Sequence, residues 1–183
     1  MRLEIARGIS ETTGMTMNDI AKTGLIMAAL GAGAMALAVP TIAQPQYRQK
    51  ISNDMRSCAP GAGPAVRVTI NGVKSSQGKV RVQSYYGTSS DWLEKGRWLS
   101  RIETPARAGS MTVCVPVPSS GTYGIAVRHD MNGNGKTDLS SDGGGMSNNP
   151  SINILNMGKP NYRKTAFEVG SGVKSIAITM KYM

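Results

Sequence analysis

Gly121-Thr122-Tyr123-Gly124-Ile125-Ala126-Val127-Arg128-His129 runs without a break into Asp130-Met131-Asn132-Gly133-Asn134-Gly135-Lys136-Thr137-Asp138. In the first half Tyr123, Ile125, Val127 and His129 alternate with Gly124, Ala126 and Arg128, the period of two that a strand shows when one face is buried. The same alternation recurs on both sides. Val66, Val68 and Ile70 alternate with Arg67 and Thr69, and Val80 and Val82 with Lys79, Arg81 and Gln83. Asn71-Gly72 and the polar Lys74–Gly78 stretch lie between these two segments, so they are predicted to form a hairpin. Met111, Val113, Val115 and Val117 form another inward row with Cys114 pointing outward. Thr165, Phe167 and Val169, then Ile176, Ile178 and Met180, are two closing strands around Gly170-Ser171-Gly172. Trp92, Leu93, Trp98 and Leu99 have mixed spacing and are expected in a short helix or capping loop over an open end of the core. Gly143 to Asn161 is a long Gly, Asn and Ser excursion, a length usually kept for function. About seven short strands without a long helix predict an all-β, antiparallel two-sheet sandwich.

The second half of the quoted stretch has the spacing of a calcium loop. Ca²⁺ takes six to eight oxygen ligands, and alternate residues of a tightly curled loop aim Asp and Asn oxygens inward. Asp130, Asn132, Asn134 and Asp138 occupy positions one, three, five and nine, and Gly135 the sharp turn at six. Lys136, at position seven, contributes its carbonyl. The bidentate Glu that an EF-hand places at position twelve is missing; Ser141 stands there and Asp142 follows, so Asp142 is the replacement acid. No amphipathic helix precedes Asp130, so the match to an EF-hand is poor. The competing reading is an Asx-rich turn whose side chains bond their own backbone.

The first 43 residues read as a secretory signal. Gly24 to Val39 is Leu, Ile, Met, Ala and Gly almost throughout, too short for a membrane span, with Lys22 ahead of it and Thr41-Ile42-Ala43 behind. Met15 and Met17 lie in the unusually long leader, and translation is expected to begin at one of them. Cleavage after Ala43 leaves a polar lead-in over 44–64 and a sandwich domain over 65–183, with no membrane span. The predicted location is periplasmic or secreted.

The chain carries a net charge of +10. Its leader charges cancel, so the excess stays with the folded part, where three of the few acids, Asp130, Asp138 and Asp142, cluster in one loop. Export and an aromatic content of 5% argue against a nucleic-acid partner, which needs stacking platforms. Outward Arg67, Lys79 and Arg81, sharing a face in the hairpin, point instead to an anionic envelope glycan, lipopolysaccharide or lipid. Two cysteines in an oxidising compartment predict a Cys58–Cys114 disulfide, stapling the lead-in over the outer surface of a sheet.

Several segments together resemble an exported bacterial family catalogued as domain of unknown function 2141. They are Val66 to Ile70, Gly78-Lys79-Val80-Arg81-Val82, Pro105-Ala106-Arg107-Ala108-Gly109, the Gly121 to Asp138 run and Gly145-Met146-Ser147-Asn148-Asn149. The resemblance spans about 65–183. It implies a transthyretin-like or immunoglobulin-like sandwich whose Asp/Asn loop is similar to calcium loops in bacterial adhesin repeats. It implies no reaction.

The residues themselves offer little to catalysis. His129 is the single histidine, which excludes multi-histidine metal sites and leaves one general base. No G-x-S-x-G elbow accompanies it. Glu94, Glu103 and Glu168 are scattered, so no carboxylate pair for glycoside hydrolysis is present. The expectation is a noncatalytic calcium-binding module of the cell envelope.

Overall fold

The structure is a computed structural model, described over residues 46–152 and 158–182. The expected signal over 1–43, with its start at Met15 or Met17, lies outside the described residues. Among the described residues ten strands form two sheets. The larger is ordered β1-β4-β3-β6-β7-β10, made of β1 (Gln49–Ile51), β4 (Ser100–Pro105), β3 (Lys79–Tyr86), β6 (Gly121–Asp130), β7 (Gly143–Met146) and β10 (Lys181–Tyr182). β8 (Phe167–Val169) pairs with the first residues of β6. The smaller sheet is β5-β2-β9, from β5 (Gly109–Pro116), β2 (Ala65–Val73) and β9 (Val173–Thr179). The inward rows meet in one core of Val66, Val68 and Ile70 from the smaller sheet and Val80, Val82, Ile102, Ile125 and Val127 from the larger. Among the described residues no helix is long and apolar enough to cross a membrane.

The pairing corrects two expectations. β2 and β3 do not form a hairpin: β2 pairs β5 and β9, whereas β3 pairs β4 and β6. Their connection crosses from one sheet to the other, because both strands need a buried face and opposed sheets bury both against each other. The sandwich is also not purely antiparallel, since β1–β4 and β2–β9 run parallel. The lead-in is tied down by main-chain pairing as well as by its disulfide. Main-chain N–H groups of Arg48 and Gln49 donate to the carbonyls of Trp98 and Leu99, at 2.7 and 2.8 Å, and β1 then adds to the sheet edge.

The disulfide forms as expected. A 3-10 turn, Met55–Cys58, lies against β5 and β2, and Cys58 joins Cys114 with a Cα–Cα distance of 5.8 Å. Cys114 is paired in register with outward Arg67, so the bridge covers the outer face of the smaller sheet.

The tryptophan segment covers something other than the expected open end of the core. It is a loop, not a helix, and only Leu99 enters the main core. Trp92 and Trp98 pack with Tyr85 and Met146 as a second cluster on the outer face of the larger sheet. Gly124 is what admits them: a Cβ there would lie 2.6 Å from the Trp92 ring. The Trp92 indole N–H donates to the Pro160 carbonyl at 2.9 Å, tying this loop to the later excursion.

That excursion contains β7, a strand of Gly143-Gly144-Gly145-Met146 with no side-chain alternation to signal it. Gly145 faces the smaller sheet, where a Cβ would meet Ile178 Cγ2 at 2.7 Å. Absence of side chains is therefore what lets β7 sit under β9.

Candidate functional site

The 130–142 loop leaves the end of β6, and its shape follows from short-range side-chain bonds. Asn132 Oδ1 accepts from the Asn134 N–H at 3.0 Å and Asn134 Oδ1 from the Lys136 N–H at 2.7 Å. Gly135 turns the chain with φ +79°, in the left-handed region. Its N–H donates to Asp130 Oδ2 at 2.8 Å. Asp142 closes the base, accepting from the Met131 and Asp138 N–H groups at 3.1 and 3.0 Å.

The structure thus gathers Asp130, Asn132, Asn134, Asp138 and Asp142 into one loop, with Lys136 on its exposed side. The amide nitrogens of Asn132 and Asn134 both donate to Asp138 Oδ2, at 2.8 and 2.7 Å. These two bonds hold the Asp138 carboxyl below its ordinary value. Each Asn oxygen keeps a second lone pair. Among the described residues no three His, Cys, Asp or Glu side chains group as a metal site. Any cation here would draw on Asn and main-chain oxygens beside the Asp130 and Asp138 carboxylates, a set with little negative charge.

Two atoms depart from this satisfied pattern. Asp130 is 4% exposed, and while its Oδ2 is bonded, its Oδ1 is buried with no hydrogen-bond partner. An orphaned buried carboxylate oxygen costs about 1–3 kcal/mol or more. Arg128 was not among the expected site residues, yet its guanidinium binds the loop at Asp130 Oδ2 (3.2 Å), the Gly135 carbonyl (2.9 Å) and Thr137 Oγ1 (2.8 Å). Its Nε is also buried without a partner. Alternation placed Arg128 on the outward face; only the curl of the loop brings Gly135 and Thr137 back over it.

Arg67, Lys79 and Arg81 do not share a face. Arg67 lies on the smaller sheet and donates to the Cys58 carbonyl at 2.8 Å. Lys79 and Arg81 lie on the larger sheet, and Arg81 Nε donates to Glu103 at 2.6 Å. The common basic face fails because the strands carrying these residues belong to opposite sheets.

His129 is fully buried. Its Nε2 faces the Gln77 carbonyl at 2.8 Å, and a carbonyl only accepts, so Nε2 carries a proton. Its Nδ1 lies 2.7 Å from the Tyr182 hydroxyl, which in turn accepts from the Lys74 N–H at 2.9 Å. Both ring nitrogens are therefore used in tying the end of β6 to the β2–β3 connection and to the C-terminal strand.

A sequence profile described as an uncharacterized protein conserved in bacteria, DUF2141, matches residues 68–177. The chain belongs to the DUF2141 family. That match spans β2 to β9 and includes the whole loop. No curated protein and no solved structure matches the chain. In this DUF2141 protein the Ser147-Asn148-Asn149 motif has a structural task. Ser147 is buried and its Oγ accepts from the Ile125 N–H at 3.0 Å and donates to the Thr165 carbonyl at 2.6 Å. Asn149, with φ +49°, accepts from the Thr179 N–H at 2.8 Å and donates to the Ala177 carbonyl at 3.0 Å. The motif ties the larger sheet to β9 of the smaller one.

Proposed function

We propose that this DUF2141 protein is a noncatalytic β-sandwich module of the cell envelope, exported to the periplasm or beyond, whose 130–142 loop binds Ca²⁺. The observation that carries the calcium reading is the buried, unpartnered Asp130 Oδ1 at the first ligand position. A hard cation supplies what that oxygen lacks, and Asn132, Asn134, Asp138 and the Lys136 carbonyl are the further ligands the spacing offers. Asp142 orders the loop base through two main-chain bonds. Export is supported by the leader composition and by the disulfide, which persists in oxidising compartments. A structural His129 supports the absence of catalysis.

Arg128 already offsets part of the loop's negative charge, so affinity belongs in the weak range of extracellular modules, a Kd of about 10⁻⁴–10⁻³ M. Calorimetric titration with calcium tests this. The expected result is one saturable site and a melting temperature that rises from chelator to about ten times Kd, a gain of about 1.4 kcal/mol by linkage. No heat of binding and an unmoved melting temperature would falsify the calcium reading.

A further inference from the structure

On the outer face of the larger sheet lies a cleft of about 510 Å³, floored by β3, β6 and β7. Its charge is lopsided. Arg81, Arg128, Lys159 and Lys181 line it against one carboxylate, Asp142, whose oxygens are both engaged by main-chain N–H groups. Arg81 and Arg128 are direct neighbours in the β3–β6 register. Like charges placed opposite each other on one sheet face destabilise it unless something compensates. Glu103 takes the Nε–H of Arg81, and the terminal nitrogens of Arg81 have no hydrogen-bond partner among the described residues. Arg128 spends its terminal nitrogens on Asp130, Gly135 and Thr137 and its unpartnered Nε is buried, so it adds positive charge beside Arg81. The terminal nitrogens of Arg81, beside a second guanidinium, suit an oxyanion, whose geometry matches a planar fork.

Much of the remaining lining is apolar, with Gln83 and Thr137 as polar neighbours. Leu93, Ala126, Met146 and Ile152 border the floor, and Leu139 at the rim is 63% exposed, one of two large hydrophobic side chains so exposed among the described residues. At the middle of the floor is Gly144, paired with Arg128; a Cβ there meets nothing within 4 Å. Its neighbours Gly143 and Gly145 lack a side chain because other residues occupy that space, whereas the space above Gly144 is the cleft itself.

We infer that this cleft binds an anionic amphiphile, with a carboxylate or phosphate head against Arg81 and Arg128 and its apolar tail along Ala126, Met146 and Leu139. The inference stands apart from calcium binding, and its test is run in chelator so that either can fail alone. The protein is titrated by calorimetry with dodecanoate and with dodecyl phosphate, both below micelle formation, and with dodecyl maltoside and inorganic phosphate. At least one anionic amphiphile should saturate a single site, and the tighter of the two names the head group. The neutral amphiphile and inorganic phosphate should each bind at least about tenfold more weakly. Arg81→Gln should weaken binding of the anionic amphiphile by about tenfold or more. Gly144→Leu, which fills open space and so leaves the fold intact, should abolish it. Arg67→Gln, on the other sheet, should change nothing. The inference is overturned by no saturable binding, by equal affinity for dodecyl maltoside or inorganic phosphate, or by unchanged binding in Gly144→Leu.

Discussion

The main-chain carbonyl of Asp130 occupies the space that a side chain on Gly78 would need. Gly78 has φ +70°, and a Cβ there would also lie 2.7 Å from the Met131 carbonyl oxygen. The turn entering β3 is thus packed against the first residue of the 130–142 loop. Gly78→Ala combines left-handed backbone strain of about 1–2 kcal/mol with a clash against main chain that cannot rotate away, for a loss of about 3 kcal/mol. Thermal unfolding checks this, and a drop of less than about 1 kcal/mol would show that the turn can move aside. Calcium affinity should fall with it, because the displaced atom belongs to Asp130.

Asp130 holds the loop even without metal, through Arg128 and Gly135. Asp130→Asn should therefore lower stability in chelator by about 1–3 kcal/mol and remove the calcium-dependent gain as well. Asp138→Ala should remove much of the calcium gain with a smaller effect in chelator, since its Oδ2 accepts only from exposed amides. Denaturation of both variants with and without calcium separates the two roles. Equal calcium gains in wild type and Asp130→Asn would leave the loop as an Asx turn.

Asn149 bonds two main-chain groups of β9 and takes a left-handed conformation that asparagine tolerates. Asn149→Ala should cost about 2 kcal/mol, from two net hydrogen bonds of about 1 kcal/mol each. Urea unfolding measures it. A loss within experimental error would mean that β9 is held by its pairing to β2 alone.

The Cys58–Cys114 bridge closes a loop with a sequence separation of 56. Its removal as a double serine variant should cost up to about 4 kcal/mol by chain entropy. Denaturant midpoints for the two forms decide this, and identical midpoints would show that the lead-in is held by β1 and by the Tyr47 hydroxyl, which donates to Asp91 at 2.7 Å, instead.

Asp91 anchors the tryptophan loop. Burial pushes its carboxyl up, but hydroxyls of Thr88, Tyr47 and Ser90 together with Arg97 outweigh that and hold it below the ordinary 3.8. Because the folded value is depressed, the unfolded chain takes up protons first as the solution is acidified. The stabilisation is complete above about pH 4 and is lost as pH falls through the folded pKa. Melting temperature followed from pH 6 to 2 should decline on the acid side, and Asp91→Asn should start lower and decline less steeply. Parallel curves for the two proteins would rule out this contribution.

Much of the architecture was legible in the chain. Period-two alternation marked the buried faces of β2, β3, β5 and β6, because burial on one side alone sorts residues strictly by parity. The oxygen spacing of 130–138 was equally legible, since Asx turns are local and their bonds span two residues. The disulfide was expected from two cysteines together with the expected export. Tertiary structure decided everything that depends on which strands are neighbours. Alternation reports that β2 and β3 each bury a face, not that they bury them against each other, so Arg67 parted from Lys79 and Arg81. β4 and the glycine strand β7 have too few apolar side chains to carry a period, and form because β3 and β6 offer them unpaired edges. Alternation put Arg128 only on the outward side of β6, where the loop folds back over it, and the cleft beside it exists only where β3, β6 and β7 lie side by side. Parity is written into adjacent residues; adjacency between distant strands is settled by the packing of the whole chain.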